Sequence, residues 1–197
     1  MDDRKTVNVE IAGLTRSLPL CRIAEDTYIA AFICFGDAEI TVACAREMLK
    51  LFPREDYDYI LTAEAKGIPL AHEMARQSGA EKYFVARKGP KNYMPDPICV
   101  DDRSITTEGL QKLYLGRDDA DLIKGKRILV VDDVISTGGS LRAMEALVEI
   151  AGGTVTGKVA VLAEGEAHLR DDIRFLKRIP LFDSNGRPIN YTDLEPL

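Results

Sequence analysis

Two neighbouring acids, Asp132 and Asp133, follow four apolar residues and precede a short loop of serine, threonine and glycine. The stretch reads ILVVDDVISTGGS, and a helical pattern begins where it ends. Glycines let the backbone wrap closely around an anion, and the N-terminal end of the following helix adds positive charge. We therefore predict that the loop binds a phosphate monoester; its residues are Ser136, Thr137, Gly138, Gly139 and Ser140.

The acid pair calls for a different ligand group from the loop, because two carboxylates repel a phosphate. Ionised carboxylates accept hydrogen bonds, so Asp132 and Asp133 are suited to the hydroxyls of a diol on the same sugar. Two other interpretations exist. Paired aspartates at a strand end also hold Mg²⁺ in receiver-type folds, and a TGGS loop alone is compatible with an ordinary helix cap. The complete order of strand, acid pair, loop and helix favours a sugar phosphate.

The same stretch resembles the PRPP-binding motif of the type I phosphoribosyltransferases, where PRPP is phosphoribosyl pyrophosphate, and fits that motif at every position. The resemblance implies that Asp132 and Asp133 bind the ribose 2′ and 3′ hydroxyls and act in catalysis, and that residues 136–140 bind the 5′-phosphate. It implies an enzyme that transfers a phosphoribosyl group from PRPP to a nucleobase. It also implies Mg²⁺ bound through PRPP, with no direct protein ligand, and a homodimer.

A second loop follows an earlier apolar segment and also leads into a helical pattern. A lysine and a glycine at a helix N-terminus suit another anion, although α/β proteins have many such turns. The resemblance implies that this loop binds the pyrophosphate and carries a non-proline cis peptide bond between its first two residues. The loop consists of Glu64, Ala65, Lys66 and Gly67.

Three cations, Arg87, Lys88 and Lys91, come just after the next strand pattern. Positive charge at the carboxyl end of a strand in an acidic protein is suited to neutralising a leaving pyrophosphate. The alternative is a solvated turn. This cationic segment and the second loop most resemble the adenine phosphoribosyltransferase branch, although Lys66 stands where that branch usually has arginine.

The segment from Lys88 to about Lys126 is polar and weakly patterned, which predicts a long flexible flap over about 88–116. Alignment with the adenine branch makes Glu108 the candidate general acid/base for the purine imidazole nitrogen, although the branch's flanking tyrosines are absent. Ser136 stands where the hypoxanthine-guanine branch has an aspartate. We therefore expect a purine substrate with adenine favoured, and a xanthine or hypoxanthine enzyme as the alternative.

Alternating strand and helix patterns predict how these segments are positioned. Strands are predicted over 27–35, 57–63, 82–86, 127–131 and 155–163, with a helix after Asp37 that ends at Pro53 and helices over about 68–78 and from Leu141 to Ala151. This order predicts an α/β fold with a parallel twisted sheet flanked by helices, the type I phosphoribosyltransferase fold. We expect a single domain over residues 1–197, with a small hood formed by about 1–36 and the C-terminal tail.

The overall composition excludes several functions. A net charge of −6 and a pI near 5.1 argue against a nucleic-acid partner. The absence of a secretory signal or a membrane-length apolar run predicts a cytoplasmic protein without membrane contact. Four cysteines without CxxC spacing are expected to be reduced thiols, three of them buried, and the two histidines have no metal-ligand spacing. A PRPP-binding regulator of DNA or RNA is a second interpretation, but it needs an added domain or a basic face.

Overall fold

The computed structural model describes residues 5–102 and 111–189. Twelve strands and four α-helices lie in these ranges, joined by two short 3-10 turns at Arg54–Asp56 and Gly165–Leu169. In chain order the elements are β1 (Thr6–Ile11), β2 (Leu14–Ala24), β3 (Thr27–Ala30), α1 (Ala38–Leu51), β4 (Tyr59–Ala63), α2 (Gly67–Ser78), β5 (Tyr83–Ala86), β6 (Ile98–Asp102), β7 (Gln111–Leu115), α3 (Arg117–Ile123), β8 (Arg127–Ile135), α4 (Gly139–Ile150), β9 (Thr154–Glu164), β10 (Arg174–Ile179), β11 (Leu181–Phe182) and β12 (Pro188–Ile189).

A five-stranded parallel sheet in the order β10-β9-β8-β4-β5 forms the centre of the fold. Helices cover both faces. Leu129 and Val131 of β8 belong to the core shared with α1 and α2, whereas Ile128 and Val130 belong to the core shared with α4. Burial on both sides explains why the strand reads as a continuous apolar run. The predicted α/β class with a parallel sheet is confirmed.

The N-terminal and C-terminal parts of the described chain form a second sheet, here called the hood sheet, in the order β1-β2-β3-β11-β12. Its described pairs are antiparallel, and Phe182 of β11 pairs with Tyr28 of β3. The inner side of this sheet joins the α1 core through Val9, Ile11 and Leu18. The two ends of the described chain therefore meet in one sheet.

The helix after Asp37 is confirmed, because the Asp37 carboxylate accepts a hydrogen bond from the Ile40 amide at 3.1 Å and the helix ends before Pro53. The helical spacing predicts an apolar side of Val42, Ala45, Met48, Leu49 and Phe52. Ala45 and Met48 are indeed buried, but Val42 is exposed, and Ile40 and Cys44 are buried as well. The strand predicted over 27–35 ends at Ala30. Beyond it the chain leaves the sheet, and the Phe32 carbonyl accepts a hydrogen bond from Lys66 Nζ.

The weakly patterned segment contains more regular structure than the sequence indicates. Strands β6 and β7 pair as an antiparallel hairpin that packs on α4, with Leu113 and Leu115 fully buried. The helix α3 follows and buries Ala120 and Ile123. Its seven residues are too few to show a helical period in the sequence. Residues 103–110, between the two strands, lie outside the described part of the chain.

The peptide bonds, the cysteines and the helices each bear on an expectation from the sequence. All peptide bonds of the described residues are trans, so the cis bond expected at Glu64–Ala65 is wrong. The Ala65 amide donates a hydrogen bond to the Ala63 carbonyl at 2.7 Å. A cis bond before a residue other than proline costs about 3–4 kcal/mol, which favours the trans form. All four cysteines are free, but only Cys34 and Cys44 are buried. None of the described helices has the length and apolar character needed to cross a membrane.

Candidate active site

A cavity of about 320 Å³ lies at the carboxyl ends of β4, β8 and β9, beneath the chain that leaves the hood sheet. Ligands of open α/β sheets bind at this edge because the loops after the strands converge there. The residues lining it come from the hood, the two predicted anion loops and the ends of the strands: Ile29, Ala30, Ala31, Phe32, Ala63, Ala65, Lys66, Lys88, Leu113, Asp132, Asp133, Val134, Ile135, Ser136, Thr137, Gly138, Gly139, Ser140, Leu141 and Glu164.

The glycine loop has the geometry of an anion cradle. Gly138 has a φ of +74°, a left-handed conformation that glycine adopts without strain, and α4 begins at Gly139. Gly138 itself provides no side-chain cap to α4, and the first residues of the helix, Gly139, Ser140 and Leu141, line the cavity. The Arg170 guanidinium places positive charge next to the loop, since a Cβ on Gly138 would lie 2.4 Å from its Nη1. The loop therefore suits a phosphate group.

The acid pair lies inside β8, which continues to Ile135, rather than just after the strand as the sequence indicates. Asp133 is buried, and its Oδ2 lies 2.5 Å from Lys66 Nζ. The same Nζ donates to the Phe32 carbonyl at 2.8 Å. Lys66 thus links the second loop, the acid pair and the hood in one contact network. The sequence indicates Lys66 and Asp133 as site residues but gives no sign that they pair.

Asp132 is half-buried, and its Oδ1 accepts a hydrogen bond from the Asp133 amide at 2.9 Å. Burial and the neighbouring Asp133 carboxylate raise the pKa of Asp132 well above its ordinary value. A raised pKa in the folded state means that the native protein holds this proton more tightly than the unfolded chain does. The contribution of Asp132 to stability is therefore lost as the pH rises through the folded pKa.

Replacing Asp132 with asparagine is expected to raise the melting temperature at pH 7.5 by a few degrees, because the amide keeps the acceptor without the buried charge. The advantage over the wild type should shrink in acid, where the wild-type carboxyl is protonated. Thermal unfolding at both pH values measures this. Asp58→Asn is the control, since Asp58 pairs with Arg127 at the other end of β8 and should not gain stability. An unchanged or lower melting temperature for Asp132→Asn at pH 7.5 contradicts the expectation.

The second loop and the three cations meet around one carboxylate. Glu64 Oε1 lies 2.9 Å from Arg87 Nη2 and 3.8 Å from Lys91 Nζ, and its Oε2 accepts a hydrogen bond from the Lys88 amide at 2.8 Å. Of the three cations, only Lys88 lines the cavity, as do Ala65 and Lys66 of the second loop. The structure thus groups all of the predicted residues at one corner, but it engages Arg87 and Lys91 with Glu64 rather than with the cavity.

Gly67 is required by close packing. A Cβ at this position would lie 2.3 Å from the Thr62 Oγ1 atom and within 3.6 Å of the β8 backbone. The first turn of α2 can therefore approach both β4 and β8 only with glycine here, which brings the N-terminal amides of α2 to the end of the acid-bearing strand. Glu108, the candidate general acid/base, lies outside the described residues.

Sequence reasoning did not identify Glu164 as a site residue. It is the last residue of β9, is 8% exposed and lines the cavity. It follows the buried run VAVLA directly, as Asp132 follows ILVV, but no acid pair or loop of serine, threonine and glycine accompanies it in the sequence. Phe32 is buried and lines the cavity, whereas Phe35 is exposed.

The described residues offer no group of three or more His, Cys, Asp and Glu side chains that could hold a metal ion. The histidines have other contacts. His72 lies edge-on against Tyr83, and His168 Nδ1 lies 2.6 Å from the Gly165 carbonyl oxygen.

The chain matches the family model described as "Phosphoribosyl transferase domain" over residues 43–195. A hypoxanthine/guanine phosphoribosyltransferase of Methanocella paludicola is 29% identical over 87% of this chain and 89% of its own length. An orotate phosphoribosyltransferase of a Thermoanaerobacter species is 26% identical over 80% of this chain and 71% of its own. Among solved structures, the adenine phosphoribosyltransferase of Thermoanaerobacter pseudethanolicus superposes with a TM-score of 0.59 at 23% identity, covering 74% of this chain and 83% of that one.

Proposed function

The chain belongs to the phosphoribosyl transferase family, and from that premise we propose that it transfers the phosphoribosyl group of PRPP to a purine base, with adenine favoured. The products are the nucleoside monophosphate and pyrophosphate. The observation that carries the proposal is the cavity in which the acid pair of β8 adjoins the glycine loop that opens α4. A vicinal diol and a phosphate on one sugar match these two features in that order.

In the proposed mechanism, residues 136–140 bind the 5′-phosphate, and Asp132 and Asp133 accept hydrogen bonds from the ribose hydroxyls. A base nitrogen displaces pyrophosphate at C1 of the ribose. Positive charge develops on the sugar ring while the pyrophosphate departs. The two carboxylates stabilise this charge because they are already fixed beside the ring. The burial of Asp133 supports this role, since a carboxylate in a poorly hydrated site interacts more strongly with charge.

The leaving pyrophosphate is assigned to Glu64, Ala65, Lys66 and Gly67 together with Arg87, Lys88 and Lys91. Lys66 and Lys88 support the assignment because both line the cavity. Amides at the start of α2 add donors. In this mechanism Lys66 exchanges its contact with Asp133 for the diphosphate, and the freed aspartate takes up a ribose hydroxyl.

Mg²⁺ is proposed to enter with PRPP. Magnesium usually keeps several waters and takes few protein ligands beside substrate phosphates. The residues that hold PRPP would hold the complex, and the ion would neutralise charge on the departing diphosphate. The proposed homodimer and the role of Glu108 in proton transfer rest on the family resemblance.

The identity of the base has two candidates. Structural likeness to adenine enzymes concerns the fold, whereas the Methanocella paludicola relative, which aligns over most of both chains, is a hypoxanthine/guanine enzyme. Adenine is favoured because Ser136 occupies the place of an aspartate that serves 6-oxopurines in the hypoxanthine-guanine branch. A 6-oxopurine is the second candidate because of that relative.

Assaying pyrophosphate release with PRPP, Mg²⁺ and each base in turn tests the proposal. We expect turnover with a purine and the highest kcat/KM for adenine, with hypoxanthine, guanine and xanthine lower. Orotate should be poor, because its own carboxylate would meet three acids, Asp132, Asp133 and Glu164, in the cavity. A preference for hypoxanthine or guanine would select the second candidate. If orotate is the one base of this panel that is turned over, or if none of the bases is, the purine assignment is rejected.

A further inference from the structure

Glu164 is a buried carboxyl group in the cavity for which the proposed mechanism gives no role. It is 8% exposed, and the Ser136 hydroxyl donates a hydrogen bond to it. The register explains this contact. Ile135 of β8 pairs with Ala163 of β9, so the next residues on the two strands, Ser136 and Glu164, stand side by side. Burying a carboxylate costs free energy unless the group is fully hydrogen-bonded. A single serine does not satisfy Glu164, so we expect a further hydrogen-bond donor at the cavity wall.

The order of strands determines which part of the substrate lies near Glu164. β8 carries the acid pair; β4, with the proposed pyrophosphate loop, lies on one side of β8, and β9, with Glu164, lies on the other. In a direct displacement at a sugar C1, the nucleophile attacks the face opposite the leaving group. If pyrophosphate departs over β4, the base approaches from the β9 side. Glu164 is the titratable cavity-lining residue of β9 on that side.

We propose that Glu164 is a base-binding residue that selects among nucleobases, its carboxylate accepting a hydrogen bond from an N–H group of the incoming base. The inference rests on the proposed phosphoribosyl transfer and deepens it by assigning the base subsite. The Ser136 hydroxyl takes one of the roughly four acceptor positions of the carboxylate, so acceptor positions remain for the base. Bases that present N–H donors, such as adenine through its amino group, fit this acceptor. Anionic bases do not.

The groups around Glu164 shift its pKa in opposite directions. Burial raises the pKa of Glu164, the Ser136 hydrogen bond and the Lys66 ammonium lower it, and Asp133 raises it, with a net upward direction. The other cavity-lining charges are Asp132 and Lys88. The carboxylate is lost as the pH falls through this raised pKa, and binding of the base through Glu164 should weaken as it is lost.

The test compares Glu164→Gln with the wild type, using PRPP and the best purine base from the panel. We expect the KM for the base to rise about 10- to 100-fold, as for loss of a charge-assisted hydrogen bond, and the KM for PRPP to change less than about 2-fold. The wild-type kcat/KM for the base should fall in acid through a group that the variant lacks. Glu73→Gln is the control, since Glu73 is equally buried but pairs with Arg76 on α2 outside the cavity.

Two results would overturn the assignment: an unchanged KM for the base, or a parallel rise in both KM values, which would mean that Glu164 merely supports the phosphate loop through Ser136. If Glu164→Gln does not fold, the pH profile of the wild-type KM for the base decides instead, and a flat profile between pH 5 and 8 is then the contrary result. A wild-type protein without turnover on any base rejects the proposed function itself. The two failures are therefore separable.

Discussion

Replacing Asp133 with alanine is expected to lower kcat/KM about 100-fold or more. The variant loses the acceptor for a ribose hydroxyl and leaves Lys66 without the carboxylate that now lies 2.5 Å from its Nζ. A hydrogen bond to a charged group contributes about 1.5–3 kcal/mol, and the upper part of that range, about 2.7 kcal/mol, corresponds to a 100-fold loss. Steady-state pyrophosphate release, together with thermal unfolding to verify the fold, measures the effect.

Two further variants serve as comparisons for Asp133→Ala. Asp133→Asn keeps the shape of the side chain without its charge and should fall between the wild type and Asp133→Ala. Asp58→Ala removes an aspartate that pairs with Arg127 at the opposite end of the same strand, at 3.1 Å, and should leave kcat/KM within about 2-fold. Near-normal turnover in Asp133→Ala would remove the acid pair from the mechanism.

Replacing Gly138 with alanine is expected to weaken PRPP binding about 10-fold or more. Alanine in the left-handed conformation, here φ +74°, costs about 1–2 kcal/mol. Its Cβ would also lie 2.4 Å from Arg170 Nη1, and that guanidinium cannot swing away freely because Asp172 accepts hydrogen bonds from its Nε and Nη2 at 2.9 and 2.7 Å. Either these contacts of Arg170 are broken or the loop shifts, and both change the positive charge beside the phosphate site. Titration calorimetry with PRPP and Mg²⁺ measures the affinity.

Gly125→Ala is the matched control for Gly138→Ala. Gly125 has a φ of +70°, and a Cβ there would meet nothing within 4 Å. The control should show a comparable loss of thermal stability from backbone strain but an unchanged dissociation constant for PRPP. If both variants lose affinity equally, the effect of Gly138 is global and the loop assignment lacks support.

The parallel sheet and the phosphate loop were predictable because their signals are local. Continuous apolar runs identified β4, β8 and β9, and the string ILVVDDVISTGGS contains strand, acids and loop within consecutive residues. The capping aspartate of α1 was equally local, since Asp37 contacts the first turn of its own helix. In each of these cases the residues that determine the structure are sequence neighbours.

Features that depend on distant parts of the chain were not predictable. The pairing of Lys66 with Asp133 joins residues that are far apart in sequence, and the hood sheet joins β3 to β11 from opposite ends of the described chain. The exposure of Val42 depends on what packs against α1, which a helical period does not specify. Glu164 was missed because one acid after a strand has no neighbouring motif to mark it.

Lys66 acts as an internal counter-ion in the cavity. Its ammonium group, shared between Asp133 and the Phe32 carbonyl, compensates a buried carboxylate that would otherwise face its neighbour Asp132 unscreened. Strengthening that grip would make the resting protein more robust but would hinder release of the lysine towards an arriving diphosphate. Thermostability and turnover should therefore be opposed at this position, and attempts to stiffen the protein should begin elsewhere, on surfaces remote from the lysine.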